Sequence, residues 1–193
     1  MRLPAIVLRS ILSSIVLVAS APPAFAGEIQ VDAGTTILGS SWQGDFAGGG
    51  LLRLGYRFKR VVSIDFVGWE QLAAVNDRLD TGLTFGVTGF IPLRVVRPYL
   101  RAFAIHQHEE GVVSVAQNPG GFLFGIGSGI RHRAGGGLTL GAEIPIRKSR
   151  SGDLEWVVIA ELEGIGFPDP LGPSFYWGGN FGIGFNYTLA KLP

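Results

Sequence analysis

Bulky apolar residues and small or polar residues take turns along most of this chain, and the alternation has a period of two. In "EIQVDAGTTIL", Ile29, Val31, Ala33, Thr35 and Ile37 oppose Gln30, Asp32, Gly34 and Thr36. "GLLRLGYRF" sets Leu52, Leu54, Tyr56 and Phe58 against Leu51, Arg53, Gly55 and Arg57, and "VVSIDFVGW" sets Val62, Ile64 and Phe66 against Ser63 and Asp65. The same rhythm returns in "TGLTFGVTGF", "FLFGIGSGIRH", "GLTLGAEIPIR" and "FYWGGNFGIGFNYTL". A strand points successive side chains to opposite faces, so each stretch predicts a strand with one bulky face and one small or polar face. Two segments fit less cleanly. In "RPYLRAFAIH" neither face is polar, and in "LEWVVIAELEG" Val157 and Ile159 share a face with Glu155, Glu161 and Glu163. No stretch carries a convincing helical period, and the fold class expected is all-β.

The connections divide into two kinds. Phe58 to Val61, Phe90 to Arg97 and His132 to Gly136 read as short or compact, and Lys59-Arg60 as a tight hairpin. Residues 39–49, 70–79, 107–119 and 147–153 read as longer loops, and "FPDPLGPS" as a rigid proline turn. Short turns at one end and long loops at the other predict a closed, up-and-down antiparallel barrel that crosses a membrane. About nine segments qualify as strands, whereas single-chain bacterial barrels use an even number. Eight is expected, with 99–106 or 154–164 not a strand, and ten is the alternative.

Strand length and polar composition decide which face meets what. The segments run about 10–13 residues, against about 5–6 for soluble strands and about 9–11 for a tilted membrane strand. Arg53, Arg57, Asp65, Arg131, Glu143, Arg147, Glu161 and Glu163 alternate with glycines on the small face. That mixture suits a narrow lumen, where glycines make room and opposite charges pair. The bulky face then looks into lipid, and in the last segment it carries Phe175, Trp177, Phe181, Ile183, Phe185 and Tyr187. Tyr56, Phe58, Trp69, Phe90, Tyr99, Trp156, Trp177 and Tyr187 lie near strand ends and are expected to form interfacial girdles. Ile183→Arg is expected to be costly, and Gly184→Ser, facing the lumen, far less so.

Composition narrows the setting. The chain of 193 residues is 47% apolar and holds 30 glycines with no collagen-like period, so it packs a core as one domain. It has no cysteine, hence no disulfide framework and no acylation site of the lipoprotein kind. The first 26 residues read as a cleaved secretory signal: Arg2 and Arg9, the apolar "ILSSIVLVAS", then Ala24-Phe25-Ala26. Of 16 basic residues, removing Arg2 and Arg9 leaves 14 against 15 acidic ones, a balance that argues against a nucleic-acid partner. Residues 27–193 form the barrel domain.

Candidate chemistry is sparse. "IHQHEE" places His106 and His108 two residues apart, followed by Glu109 and Glu110. Such a set could hold a transition metal or move protons, but no third histidine lies near in sequence, and a solvated strand top is expected. A lipid-modifying enzyme would need a serine beside His106, and Ser114 is the near candidate. "GIGSGIRHRAGGG" lacks the strand–turn–helix context of a nucleotide loop and reads as barrel wall. No catalytic residue, metal site or cofactor is assigned.

Several stretches carry a resemblance. "VDAGTTILG", "LLRLGYRF", "RPYLRAFA", "GIGSGIRHRAGGGLTLGAEIPI" and the closing "GIGFNYTL" resemble the small Gram-negative outer-membrane β-barrel superfamily, the OmpA-like membrane domain in particular, over residues 27–189. The resemblance implies eight strands, outer-membrane lipids and the outer-membrane assembly machinery as partners, and roles from structural anchor to narrow pore. It departs at the end: the last aromatic, Tyr187, is followed by six residues. The function expected is a structural or interaction role with the lumen sealed by the Arg/Glu network, with a narrow pore or an embedded lipid-modifying enzyme as alternatives.

Overall fold

The computed structural model describes residues 27–118, 120–121, 125–126, 129–169 and 171–189. The segment 1–26, read above as an export signal, and residues 190–193 lie outside the described residues. Eight strands form: β1 (Gly27–Ser40), β2 (Phe46–Phe58), β3 (Val62–Ala73), β4 (Arg78–Phe90), β5 (Arg97–Gly111), β6 (Arg131–Lys148), β7 (Leu154–Gly166) and β8 (Phe175–Thr188). Each pairs antiparallel with the next, and β8 returns to β1, with Glu28 opposite Thr188 and Ser40 opposite Tyr176. The closed barrel leaves no unpaired sheet edge, which is the condition for spanning lipid with strands.

The strand number is eight as expected, but the choice of strands and the connections correct the sequence reading. Both doubtful segments, 99–106 and 154–164, are strands. In the ninth candidate, "FLFGIGSGIRH", the described Gly125, Ile126, Gly129 and Ile130 lie in the connection between β5 and β6, after the short helix α1 (Val112–Gln117), and Arg131 and His132 open β6. Gly125 and Gly129 there have φ of +66° and +99°, backbone that a strand does not use. His132 to Gly136 is no turn but the start of β6, and residues 149–153 join β6 to β7 at the same end as the turns after β2 and β4. That end is the short-turn end. The connections after β1, β3, β5 and β7 make the loop end.

Side-chain direction follows the alternation. On β8, Phe175, Trp177, Phe181, Ile183 and Tyr187 point outward and are exposed, with Phe185 half-buried against Trp156 at 5.8 Å. Leu52, Leu54, Phe66, Phe85, Leu138, Leu140 and Leu162 continue this belt, each more than half exposed. From Trp177 to Tyr187 the strand advances ten residues, which at about 3.3 Å per residue and a tilt of about 40° gives about 25 Å, the height of a membrane barrel's apolar band. Phe58, Trp156 and Tyr187 ring the short-turn end, and Phe46, Phe175 and Trp177 the loop end. Trp69, Phe90 and Tyr99 do not belong to these girdles. They point into the barrel and are 5%, 7% and 2% exposed, because their strand positions share the parity of Asp65, Thr88 and Arg101.

The lumen is packed, and two glycines show how closely. A Cβ on Gly82 would enter the indole ring of Trp69, so the wide ring lies across the strand beside it. A Cβ on Gly184 would meet the Asp32 carboxylate and, at 2.7 Å, the Val31 carbonyl oxygen. The expectation that Gly184→Ser costs little is therefore overturned by lack of space, although Gly184 does face the lumen.

Candidate functional sites in the lumen and on the outer wall

Period-two alternation on eight paired strands brings charged side chains from distant sequence positions into one narrow interior. Near the short-turn end, Arg57 (β2) forms an ion pair with Glu143 (β6), both fully buried. Arg57 also lies 3.5 Å from Glu28 and stacks its guanidinium 3.9 Å from the Phe90 ring centre. Arg97 donates to Glu155 at 2.5 Å and lies 3.5 Å from Glu143, while Gln30 reaches the same Glu143 carboxylate at 3.4 Å. Toward mid-barrel, Arg53 pairs with Glu161 and lies 3.6 Å from Asp32. Tyr99 donates to Glu161 at 2.5 Å and Asn180 does so at 2.9 Å. On the facing wall Arg101 donates to Asp65 at 2.5 Å and to Thr84 at 2.7 Å, and Thr88 donates to Asp65 at 2.6 Å.

Above these charges the lumen changes character. Leu38, Val67, Trp69, Phe103, Ile105, Ile165, Phe167 and Tyr176 form one buried apolar cluster. A second charged group closes the loop end, where Glu109 accepts from Arg133 at 2.9 Å, pairs with Arg131, and accepts from Tyr176 at 3.2 Å. Arg133 also donates to the Pro173 carbonyl at 2.6 Å, which ties the connection after β7 to this charged group. Beside it Asp45 accepts from Ser40 at 2.7 Å, from Arg78 at 2.9 Å and from the Val75 amide at 3.2 Å. Burial acts to raise the Asp45 carboxyl, but these hydrogen bonds outweigh it and hold the group below the ordinary carboxylate range.

Of the eight charged residues assigned to the lumen from sequence, Arg53, Arg57, Asp65, Glu143 and Glu161 lie inside in direct contact with opposite charges. Glu163 lies on the luminal face and accepts from Thr139 at 2.9 Å, with no opposite charge within ion-pair distance among the described residues. Arg131 sits at the loop-end rim, with its side chain 29% exposed, and meets Glu109 rather than Glu143 or Glu161. Arg147 is a correction. The β6–β7 register shifts between Pro145 and Arg147, and the bulge turns Arg147 out to the solvent at the short-turn end. There it helps line a cavity of about 540 Å³ with Arg60, Arg94, Arg97, Lys148 and Glu155. Residues that the sequence reading missed include Arg97, Arg101, Arg133, Asp32, Glu109 and Glu155. Arg97 and Arg101 stand four apart in "RPYLRAFA", a spacing that places both on one strand face and could have found them.

The outer wall holds a second constellation. His106 and His108 project outward from β5, and β6 places His132 directly opposite His108. His132 Nδ1 lies 3.3 Å from His106 Nε2, and the His108 ring centre lies 4.7 Å and 4.8 Å from those of His106 and His132. His106 and His132 are exposed and His108 is buried. The sequence reading found no third histidine because His132 stands 24 residues from His108, across the longest connection. Ser114 lies in α1 and is exposed.

No protein-family model matches the sequence, and no curated protein matches it. Solved structures do match its fold. Neisserial surface protein A superposes with a TM-score of 0.57 at 13% identity, covering 84% of this chain and 97% of that one. The N-terminal β-barrel domain of Pseudomonas aeruginosa OprF superposes with a TM-score of 0.53 at 17% identity, covering 83% of this chain and 99% of that domain. In fold the chain is a closed eight-stranded antiparallel barrel similar to the barrels of these two proteins.

Proposed function

We propose that this protein is an integral outer-membrane β-barrel with a structural or interaction role, its lumen sealed and its loop end presented outside. One observation carries the reading: the barrel is inverted relative to a water-soluble one. Large apolar side chains stand exposed all around its wall, while Arg57, Arg101, Arg133 and Glu143 lie inside with at most 2% of their surface exposed. An exposed apolar band on that scale has no place in water and fits acyl chains. The same burial values support a sealed lumen. A water-filled channel would leave luminal charges accessible, whereas here a paired Arg/Glu layer, an apolar cluster and a second charged group succeed one another along the axis. Eight strands enclose an interior that side chains alone can fill. No catalytic role is proposed.

The test combines fractionation with conductance. The folded protein is expected in the outer-membrane fraction, extractable by detergent only, running faster on a gel unboiled than boiled, and silent in planar bilayers. Recovery as a soluble periplasmic species would refute the membrane reading. Reproducible unitary conductance steps would refute the seal and favour a narrow pore.

A further inference from the structure

The histidine group on the outer wall stands apart from everything around it. Most other outward positions on the strands are apolar or small. Among the described residues, away from the short-turn end, the outward titratable groups are Glu70, His106, His108, Glu110 and His132. Three of the five are histidines, and they are all the histidines of the chain. A neutral imidazole at the rim of an apolar belt contributes little to lipid burial, so neither lipid contact nor luminal packing accounts for three on one spot.

We propose that His106, His108 and His132 form a binding site for one divalent transition metal ion of the zinc class, with the fourth position open to water or an external ligand. The register makes the site. His106 and His108 share a face because they are two apart on β5, and the pairing of His108 with His132 adds a third imidazole from β6. One ligand atom from each ring can be chosen so that all three lie within 4.8 Å of one another. A zinc ion bound at about 2.0–2.1 Å in tetrahedral geometry separates its nitrogens by about 3.4 Å. The His106 Nε2 to His132 Nδ1 separation is already 3.3 Å, and a His108 ring nitrogen lies within 4.8 Å of the other two ligand atoms.

Ligand type decides the metal class. Three imidazoles suit zinc, copper, nickel or cobalt, whereas magnesium and calcium ask for oxygen donors. The exposure of His106 and His132 leaves the ion an entry path and an open coordination position. The site also touches the long β5–β6 connection. A Cβ at Gly125 would lie 2.7 Å from His108 Nε2, so the backbone of that connection rests directly on the ring. An ion held there ties β5 to β6 beneath the connection.

The experiment uses the full folded barrel without an affinity tag of histidines, stripped with chelator and held in detergent micelles. Cobalt(II) is titrated and its ligand-field absorption followed, then zinc(II) is added in competition. Wild type is expected to bind one cobalt ion per chain with the intense visible bands of four-coordinate cobalt, and zinc is expected to displace it. His106→Ala and His132→Ala, both exposed and so compatible with the barrel by unboiled gel mobility, are each expected to lower affinity by about 100-fold or more, beyond what loss of an outer-shell partner causes. A folded wild type that takes up no stoichiometric cobalt overturns the proposal, and so does uptake that the double variant retains. Neither result depends on the lumen being sealed.

Discussion

Replacing Glu143 by alanine is expected to destabilise the folded barrel by about 3–5 kcal/mol, because it leaves a buried guanidinium without its counter-charge. Glu143 is fully buried and serves two arginines: Arg57, itself 0% exposed, and Arg97 at 3.5 Å. Among the described residues, Arg57 keeps Glu28, at 3.5 Å, as its ion-pair partner once Glu143 is gone. The rim supplies the control. Arg60 meets Glu28 at 2.7 Å, but its side chain is 47% exposed, and Arg60→Ala is expected to cost less than about 1 kcal/mol. Urea midpoints of the two variants in lipid vesicles check the difference. Equal, small shifts would mean that water reaches Glu143 and that the lumen is not closed there.

Ile183→Arg is expected to cost about 2–4 kcal/mol, the penalty for a cation near the middle of a membrane barrel's lipid face. Ile183 is 50% exposed on the outer face, between Ala33 on β1 and Val158 on β7, midway between the aromatic ends of β8. Its neighbour Gly184 faces the lumen, and Gly184→Ser is also destabilising, for a different reason: the new Cβ collides with Asp32 and with the Val31 carbonyl. The two causes separate by environment. The arginine penalty falls as the position moves toward the interface, so Tyr187→Arg at the short-turn girdle is expected to cost under about 1 kcal/mol. A uniform cost along Ile183 and Tyr187 would contradict the lipid assignment.

Much of the fold was legible because a period of two states strand and face at once. What it does not state is which alternating stretch finds a partner. "FLFGIGSGIRH" alternates bulky residues with glycine as well as β8 does, yet Gly125 and Gly129 take positive φ in the connection and only its last residues, Arg131 and His132, are seen in the sheet among those described. The two segments that fitted poorly held the missing part of the lumen. In "RPYLRAFAIH" the luminal face is mixed because Phe103 and Ile105 pack inside beside Arg97 and Arg101, while Leu100 and Ala104 point outward. In "LEWVVIAELEG" Val157 and Ile159 share a face with glutamates because the lumen is layered, apolar beside charged. Pro145 was the available signal for the bulge that turns Arg147 outward, since proline inside a strand marks such irregularities. His132 was not readable at all. Only the pairing of β5 with β6 brings it to His108, and no local pattern encodes that register across the long connection.

The central claim is that the bulky face looks outward into lipid, and two tryptophans on opposite sides of one wall test it most directly. Trp177 is 55% exposed on the outer face and Trp69 is 5% exposed in the lumen. Two single-tryptophan proteins, one keeping Trp177 and one keeping Trp69 with the other three replaced by Phe, are folded into bilayers whose acyl chains carry bromine. Quenching requires near contact with the brominated chains. Strong quenching of Trp177 with Trp69 left bright is the result the account predicts. A bright Trp177 in a folded, reconstituted barrel would contradict it.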